Sequence, residues 1–201
     1  MPGCHDASTE PEEDAVTASD ELLAIYARCG AAAYFGEAVS MTEHGLQAAY
    51  FAQASGACDA LVIAALLHDV GHLIESVPDD IADWHSDARH ELSGSRWLAQ
   101  RFGAEVCEPV RLHVAAKRFL CATDPAYFTR LSAASVLTLK LQGGPMSPGE
   151  IAAFQAEPYH GEAIAVRQWD DQGKVAGLST PDLSHYRALI DRLAAVSAPA
   201  R

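Results

Sequence analysis

The chain of 201 residues carries 27 Asp and Glu against 14 Lys and Arg, a formal net charge of −13. This balance excludes a general nucleic-acid binder, because a phosphate backbone needs a basic face; a small phosphorylated substrate, which needs two or three well-placed cations, stays open. A hydrophobic content of 49 % fits an ordinary soluble domain, and no apolar run approaches the ~20 residues of a membrane span.

Residues 1–27 contain seven acids and no Lys or Arg. We expect a disordered acidic tail over 1–19, one domain over 20–196 and a short tail over 197–201. The first residues lack a basic-then-apolar signal pattern, so the expected location is the cytoplasm. Cys4, Cys29, Cys58, Cys107 and Cys121 are widely spaced with no CxxC, which reads as buried reduced thiols rather than a disulfide framework or zinc knuckle. The expected partner is one small molecule, with no nucleic acid and no membrane, on a monomer or weak homo-oligomer.

In chain order, "SDELLAIYARCG" has apolar spacings of three and four, with Ser19 or Asp20 as cap and Gly30 as stop. "SMTEHGLQAAYFAQASG" repeats the form, capped by Ser40 or Thr42 and closed by Gly56. "DALVIAALLHDVGH" is apolar on most faces and reads as a central helix. "SDARHELSGSRWLAQRFG" ends in Gly, and "EPVRLHVAAKRFL" places Pro109 near a first helical turn. Residues 132–142 and 182–196 give two more helices, the second capped by Thr180 or Asp182. Gly/Pro-rich "LQGGPMSPGE" (141–150) and "DDQGKVAGLSTP" (170–181) read as connectors. There is no convincing period-2 strand and no internal repeat. The expected fold class is therefore all-α, a single helical bundle.

The chemistry gathers at "ALLHDVGH". His68 and Asp69 end an apolar run, their side chains ~100° apart on a helix, and such groups are costly to bury without a partner. Gly71 would let the chain turn there. His44, His68, His90 and His113 recur at gaps of 24, 22 and 23 residues, once per predicted helix. In an antiparallel bundle they can converge at one height. Imidazole with carboxylate suits iron, manganese, zinc or nickel rather than a thiolate site. Lys117 lies four residues after His113, one turn away on the same face, and Arg167 stands three before Asp170. Taken singly, Lys117 reads equally as a surface lysine, the Arg167/Asp170 spacing as a surface ion pair, and Tyr34 as core packing.

This pattern, H…HD…H…H with a later Asp, resembles the HD-domain superfamily. The stretches "AAYFGEAVSMTEHGLQAAYFAQASGA", "AALLHDVGHL", "HVAAKR", "LQGGPM" and "VRQWDDQGK" further resemble the HD-domain mixed-valent diiron oxygenases that cleave organophosphonates, over roughly residues 20–193. The resemblance implies a single HD-domain bundle with two iron ions, Fe(II) and Fe(III), and O2 as co-substrate. His44, His68, His90, His113 and Asp170 would hold the irons and Asp69 would bridge them. Tyr34 and Glu37 would close an open iron position until substrate displaces them. His72 would hydrogen-bond the substrate. Lys117, Ser135, Gln142 and Arg167 would hold the phosphonate or line its pocket.

The implied reaction oxidises C1 of a 1-hydroxyphosphonate, 2-amino- or 2-(trimethylammonio)-1-hydroxyethylphosphonate, and cleaves the C–P bond to phosphate and glycine or glycine betaine. The main alternative is an HD-type phosphohydrolase, in which a metal-activated water attacks phosphorus. Hydroxymethylphosphonate is the smaller alternative substrate. A non-catalytic, metal-stabilised sensor domain is a third reading, which the full ligand set with Lys117 and Arg167 argues against. His5, His85, His160 and His185 are expected to be bystanders, with His85 the nearest rival to His90. "LQGGPM" reads as a tight turn or as an amide seat for an oxyanion. Tyr50, Phe51, Trp84, Trp97, Phe119, Tyr127 and Phe128 are the aromatic candidates for the far end of the pocket.

Overall fold

The computed structural model describes residues 16–74 and 89–197. Most of the acidic tail, together with Cys4, His5, Trp84, His85 and the last four residues, lies outside the described residues. The described chain is an all-α bundle of α1 (Ala18–Cys29), α2 (Met41–Ala54), α3 (Asp59–Leu67), α4 (Val70–Ile74), α5 (His90–Leu98), α6 (Ala104–Thr123), α7 (Pro125–Phe128), α8 (Ala133–Leu141), α9 (Pro148–Gln155), α10 (His160–Gln172) and α11 (Arg187–Ser197). No strand forms among the described residues; an isolated antiparallel bridge joins Ala33 and Ser40. No described helix is long and apolar enough to cross a membrane.

The caps explain the helix starts. Thr17, not Ser19 or Asp20, caps α1, because Asp20 at the third helical position returns a bond to the Thr17 amide and completes a capping box. That frees Ser19 to be buried against Asp191 of α11, with bonds of 2.9 and 2.8 Å. Ser40 and Glu43 form the same box on α2. Asp182 caps a 3-10 turn (Leu183–Tyr186) ahead of α11.

The long α6 packs against α10, α5 and α3, and α2 packs against α3 and α10. Ala48, Ala49 and Ala52 of α2 are fully buried, small enough for the neighbouring helices to approach closely. Helix α3 is buried from Val62 to Leu67, as its all-apolar sequence requires.

Five further sequence expectations need correction. The "DALVIAALLHDVGH" helix is not continuous: it stops at Leu67, turns through His68 and Asp69 and restarts as α4. Gly71 is not a turn residue but a point of contact, since a Cβ there would stand 2.1 Å from the His90 carbonyl oxygen. Gly71→Ala should therefore lower stability by about 3 kcal/mol, read from the urea unfolding midpoint of the metal-free protein. Pro109 lies inside α6, which begins at Ala104; its ring is buried, and packing against α10 and α5 offsets the one lost backbone bond. Residues 141–150 are not all connector, because Ser147 and Glu150 form a capping box that starts α9 with Pro148 in its first turn. Of the described cysteines, all free, Cys107 is buried but Cys58 is exposed.

Candidate metal centre

Five elements bring one or two polar groups each to the middle of the bundle. His44 comes from α2, His68 and Asp69 from the break between α3 and α4, His90 from the start of α5, His113 from α6 and Asp170 from α10, and all six are buried. The break is what allows adjacent His68 and Asp69 to face the same point: His68 Nε2 lies 3.3 Å from Asp69 Oδ2.

The two oxygens of Asp69 divide the histidines into pairs. Oδ2 faces His44 and His68, at 3.6 and 3.3 Å from their Nε2 atoms. Oδ1 faces His90 and His113, at 3.1 and 3.5 Å. Asp170 belongs to the first pair, with Oδ1 3.4 Å from His44 Nε2 and Oδ2 3.8 Å from His68 Nε2. Within the pairs the Nε2 atoms are 3.1 Å and 3.2 Å apart.

A carbonyl oxygen only accepts hydrogen bonds, so three tautomers are fixed. The Nδ1–H groups of His44, His68 and His113 donate to the carbonyls of Gly173, Ala65 and Val110 at 2.8, 2.8 and 2.7 Å. Their Nε2 lone pairs therefore point inward, as ligating histidines require. Bare lone pairs about 3 Å apart repel unless a proton or a cation lies between them. Two nitrogens ~2.1 Å from a shared metal and roughly at right angles would be about 3.0 Å apart, close to the separations seen. Asp170 Oδ1 is buried without a hydrogen-bond partner, a further free donor on the first pair. The cluster could hold metal, and the donor set fits a hard or borderline ion.

Without metal, the electrostatics follow from burial and the two carboxylates. Burial disfavours the His68 cation, but Asp69 outweighs it and raises the pKa to about 9. His44, buried and facing His68, is lowered to about 4. Burial pushes the Asp69 carboxyl up, yet His68 and hydrogen bonds from His113, His68 and His90 hold it well below the usual range. Asp170 is likewise lowered, by Arg167, Lys174 and the two histidines acting against burial.

A cleft of about 420 Å³ opens beside the second pair. Tyr34, His72, Lys117, Ser135, Gln142 and Arg167 all line it. The Tyr34 hydroxyl donates to Asp69 Oδ2 at 2.9 Å, and its ring stacks on His44 at 3.8 Å. Tyr34 sits on a tight turn with positive φ at Phe35 and Gly36, closed by a Tyr34 amide bond to the Val39 carbonyl. Glu37 does not line this cleft; it reaches toward it, with Oε1 3.9 Å from Lys174 Nζ. His72 stacks on His90 at 3.8 Å, and burial with the neighbouring His90 keeps it neutral. Lys117 is buried rather than at the surface and donates to Thr138 Oγ1 at 2.8 Å; burial, then Arg167, lowers it to about 7. Arg167 and Asp170 form a buried pair at 2.7 Å.

Sequence reasoning missed five cleft residues, the apolar Val114 and Ala134 and three others. Lys174 donates to Ser135 Oγ at 3.0 Å and stands 3.8 Å from Asp170 Oδ1; its position four after Asp170 was a signal. Thr138 lies one turn after Ser135 on α8, also legible. Phe35 packs edge-on against His72. None of the described aromatic candidates lines the cleft, whose rings are Tyr34 and Phe35: Tyr50 and Phe128 are exposed, Trp97 lies under Arg101, and Phe119 packs on Phe154. "LQGGPM" is a tight turn and not an amide seat, because the Gly143 and Gly144 amides are spent on the carbonyls of Lys140 and Leu139. His160 and His185 bond or pack locally, away from the cluster.

No protein-family model matches the chain. It is 44 % identical over 169 residues to the 1-hydroxy-2-(trimethylamino)ethylphosphonate dioxygenase (glycine-betaine-forming) of Leisingera caerulea, covering 84 % of this chain and 86 % of that one. It is 43 % identical over 163 residues to the hydroxymethylphosphonate dioxygenase of Gimesia maris, covering 79 % of each. The chain belongs to the phosphonate dioxygenase family. A protein of Acanthamoeba polyphaga mimivirus, described as uncharacterized, is 34 % identical over 171 residues, covering 84 % of this chain and 78 % of that one. The two phosphonate dioxygenases are named for substrates with different groups on the phosphonate carbon, so membership alone leaves the substrate open.

Proposed function

We propose that this protein is a mixed-valent diiron oxygenase that uses O2 to oxidise C1 of a 1-hydroxyphosphonate and cleave its C–P bond, releasing phosphate and a carboxylate. The observation that carries the reading is the division of Asp69: each oxygen faces its own histidine pair, the arrangement one bridging carboxylate needs for two ions. His44, His68 and Asp170 would hold one iron, His90 and His113 the other. Bound iron would activate O2, while the four electrons that reduce it come from C1 of the substrate as its C–H and C–P bonds are broken.

The protein's own groups do the rest. Lys117, Lys174 and Arg167, with the hydroxyls of Ser135 and Thr138, offer a buried cationic lining for a phosphonate dianion. Gln142, whose side-chain oxygen is buried without a partner, lines the same wall. Neutral His72, on the cleft wall, would hydrogen-bond the substrate. Tyr34, held on Asp69, covers the first pair and Glu37 backs it, so both must shift for a ligand to reach that side. Phe35, on the cleft wall, is the ring that would meet a trimethylammonium group, which favours 2-(trimethylammonio)-1-hydroxyethylphosphonate, with glycine betaine as product, over the primary amine. Hydroxymethylphosphonate is kept as a second reading because the cleft is small and one relative bears that name.

The test is parallel turnover of the three phosphonates by iron-loaded protein. Phosphate release should require both iron and O2, with O2 uptake in step. Release under strict anaerobiosis, or equal rates with Mn(II) or Mg(II), would establish the phosphohydrolase instead.

A further inference from the structure

Arg167 is fully buried between two neighbouring carboxylates of its own helix, and it is fixed from behind by two residues that do not line the metal cleft. Its Nη1 bonds Asp170 Oδ2 at 2.7 Å. Its Nη2 bonds Asp171 Oδ1, and its Nε donates to the Tyr127 hydroxyl at 3.0 Å. The Tyr127 hydroxyl in turn donates to Asp171 Oδ2. Tyr127 comes from α7, 40 residues away in sequence, and is itself buried. Burial works against the Arg167 cation, but Asp170 and Asp171 together hold it charged.

These contacts spend the guanidinium mostly on orientation. With Nε, Nη1 and Nη2 tied, the plane of Arg167 is set, and so is the carboxylate it grips. Asp170 then presents Oδ2 to Arg167 and leaves Oδ1, buried and without a hydrogen-bond partner, facing His44 at 3.4 Å. Ligating carboxylates depend on such outer partners for their orientation. Tyr127 and Asp171 also line an outer cavity with Leu120, Asp124 and Arg130, a cavity that Arg167 does not reach.

We infer that Tyr127 and Asp171 are positioning residues that act through Arg167 to aim Asp170 at the His44/His68 pocket. The inference rests on the reading of Asp170 as a metal ligand, but not on what reaction the metal serves. It predicts an asymmetric effect, because His90 and His113 have no contact with this chain of bonds.

The experiment is anaerobic titration of Fe(II) into the chelator-treated full chain, followed by calorimetry. Wild type should take two ions. Asp171→Asn should weaken one of the two sites about tenfold and leave the other unchanged. Tyr127→Phe keeps the ring and its packing, so it should fold as wild type and weaken the same site to a smaller extent. It decides the matter if the Asp171 variant fails to fold. Equal weakening of both sites, or no weakening in either variant, overturns the inference. A wild-type chain that binds two ions yet shows no O2-dependent turnover would sink the proposed function and leave this inference standing; one that binds none would sink both.

Discussion

Asp69→Asn should abolish phosphate release and remove metal from at least one of the two pockets. An asparagine keeps the shape of the side chain, but it replaces one of two equivalent anionic oxygens with an amide N–H2 that cannot ligate. Whichever way the amide turns, one histidine pair loses its carboxylate. Loss of an outer partner typically costs 10–100-fold in affinity or activity, so loss of the shared donor should exceed about 100-fold. Metal content by elemental analysis and single-turnover phosphate release measure it. A variant that still holds two ions and turns over within tenfold of wild type would show that Asp69 is no bridge. The metal-free variant should also be less stable by about 3 kcal/mol, since removing one partner of a buried charge pair leaves the other uncompensated.

Metal affinity should rise about tenfold per pH unit from about pH 7 toward 9. The reason lies in the His44/His68 pair. In the metal-free protein His68 keeps its proton up to about 9, and an incoming ion must expel it to use Nε2. Isothermal titrations with Co(II) in buffers of different ionisation enthalpy should show one proton released per ion at the first pocket, and a flat pH dependence would refute it. The same pair sets the stability of the metal-free chain. His68 is raised above its unfolded value of 6.5, so its contribution is complete below pH 6.5 and is lost as pH rises through 9. His44 is lowered to about 4, so stability also declines as pH falls from 6.5 toward 4, where the unfolded chain binds a proton that the folded one refuses. Asp69 and Asp170, both lowered, contribute above 3.8 and lose that contribution only as pH falls through their depressed values. The metal-free protein should therefore lose stability below about pH 6.5 and hold it between about 7 and 9, where the fall from His68 is offset by Lys117, lowered to about 7, because there the unfolded chain binds a proton that the folded one refuses.

The buried His/Asp cluster was legible because each of its members is costly where it stands. A histidine on an otherwise apolar helix has to be explained, and four of them at nearly equal spacing on successive helices point to one place. What the pattern could not convey was the break at His68 and Asp69. An unbroken helix would splay the two side chains apart, and the break that prevents this leaves Gly71 packed against the His90 backbone. Local rules located Ser40, Gly56 and Asp182, but not the Thr17 cap, since Ser19 and Asp20 compete for the same role in sequence. The aromatic lining was illegible for a different reason. Whether Tyr127 faces a pocket or the back of Arg167 depends on how a four-residue helix meets α10, a contact between distant parts of the chain. Phe35, for its part, reaches the cleft only through a turn with positive φ.

The histidine tautomers have one more consequence. His44, His68 and His113 are held by main-chain carbonyls, acceptors that no side-chain substitution deletes, although a Cβ at Gly173 would stand 3.2 Å from His44 Nδ1 itself. His90 differs: its Nδ1 has a carboxylate neighbour, Glu91 at 3.8 Å, and no backbone acceptor. Three of these histidines thus keep an acceptor that mutation cannot delete, and drift in the basicity of the fourth is open to selection. Over evolutionary time, and in the hands of an engineer, the two pairs are unequal: both members of the first are held by the backbone, whereas the second contains the one histidine that can be tuned one codon at a time.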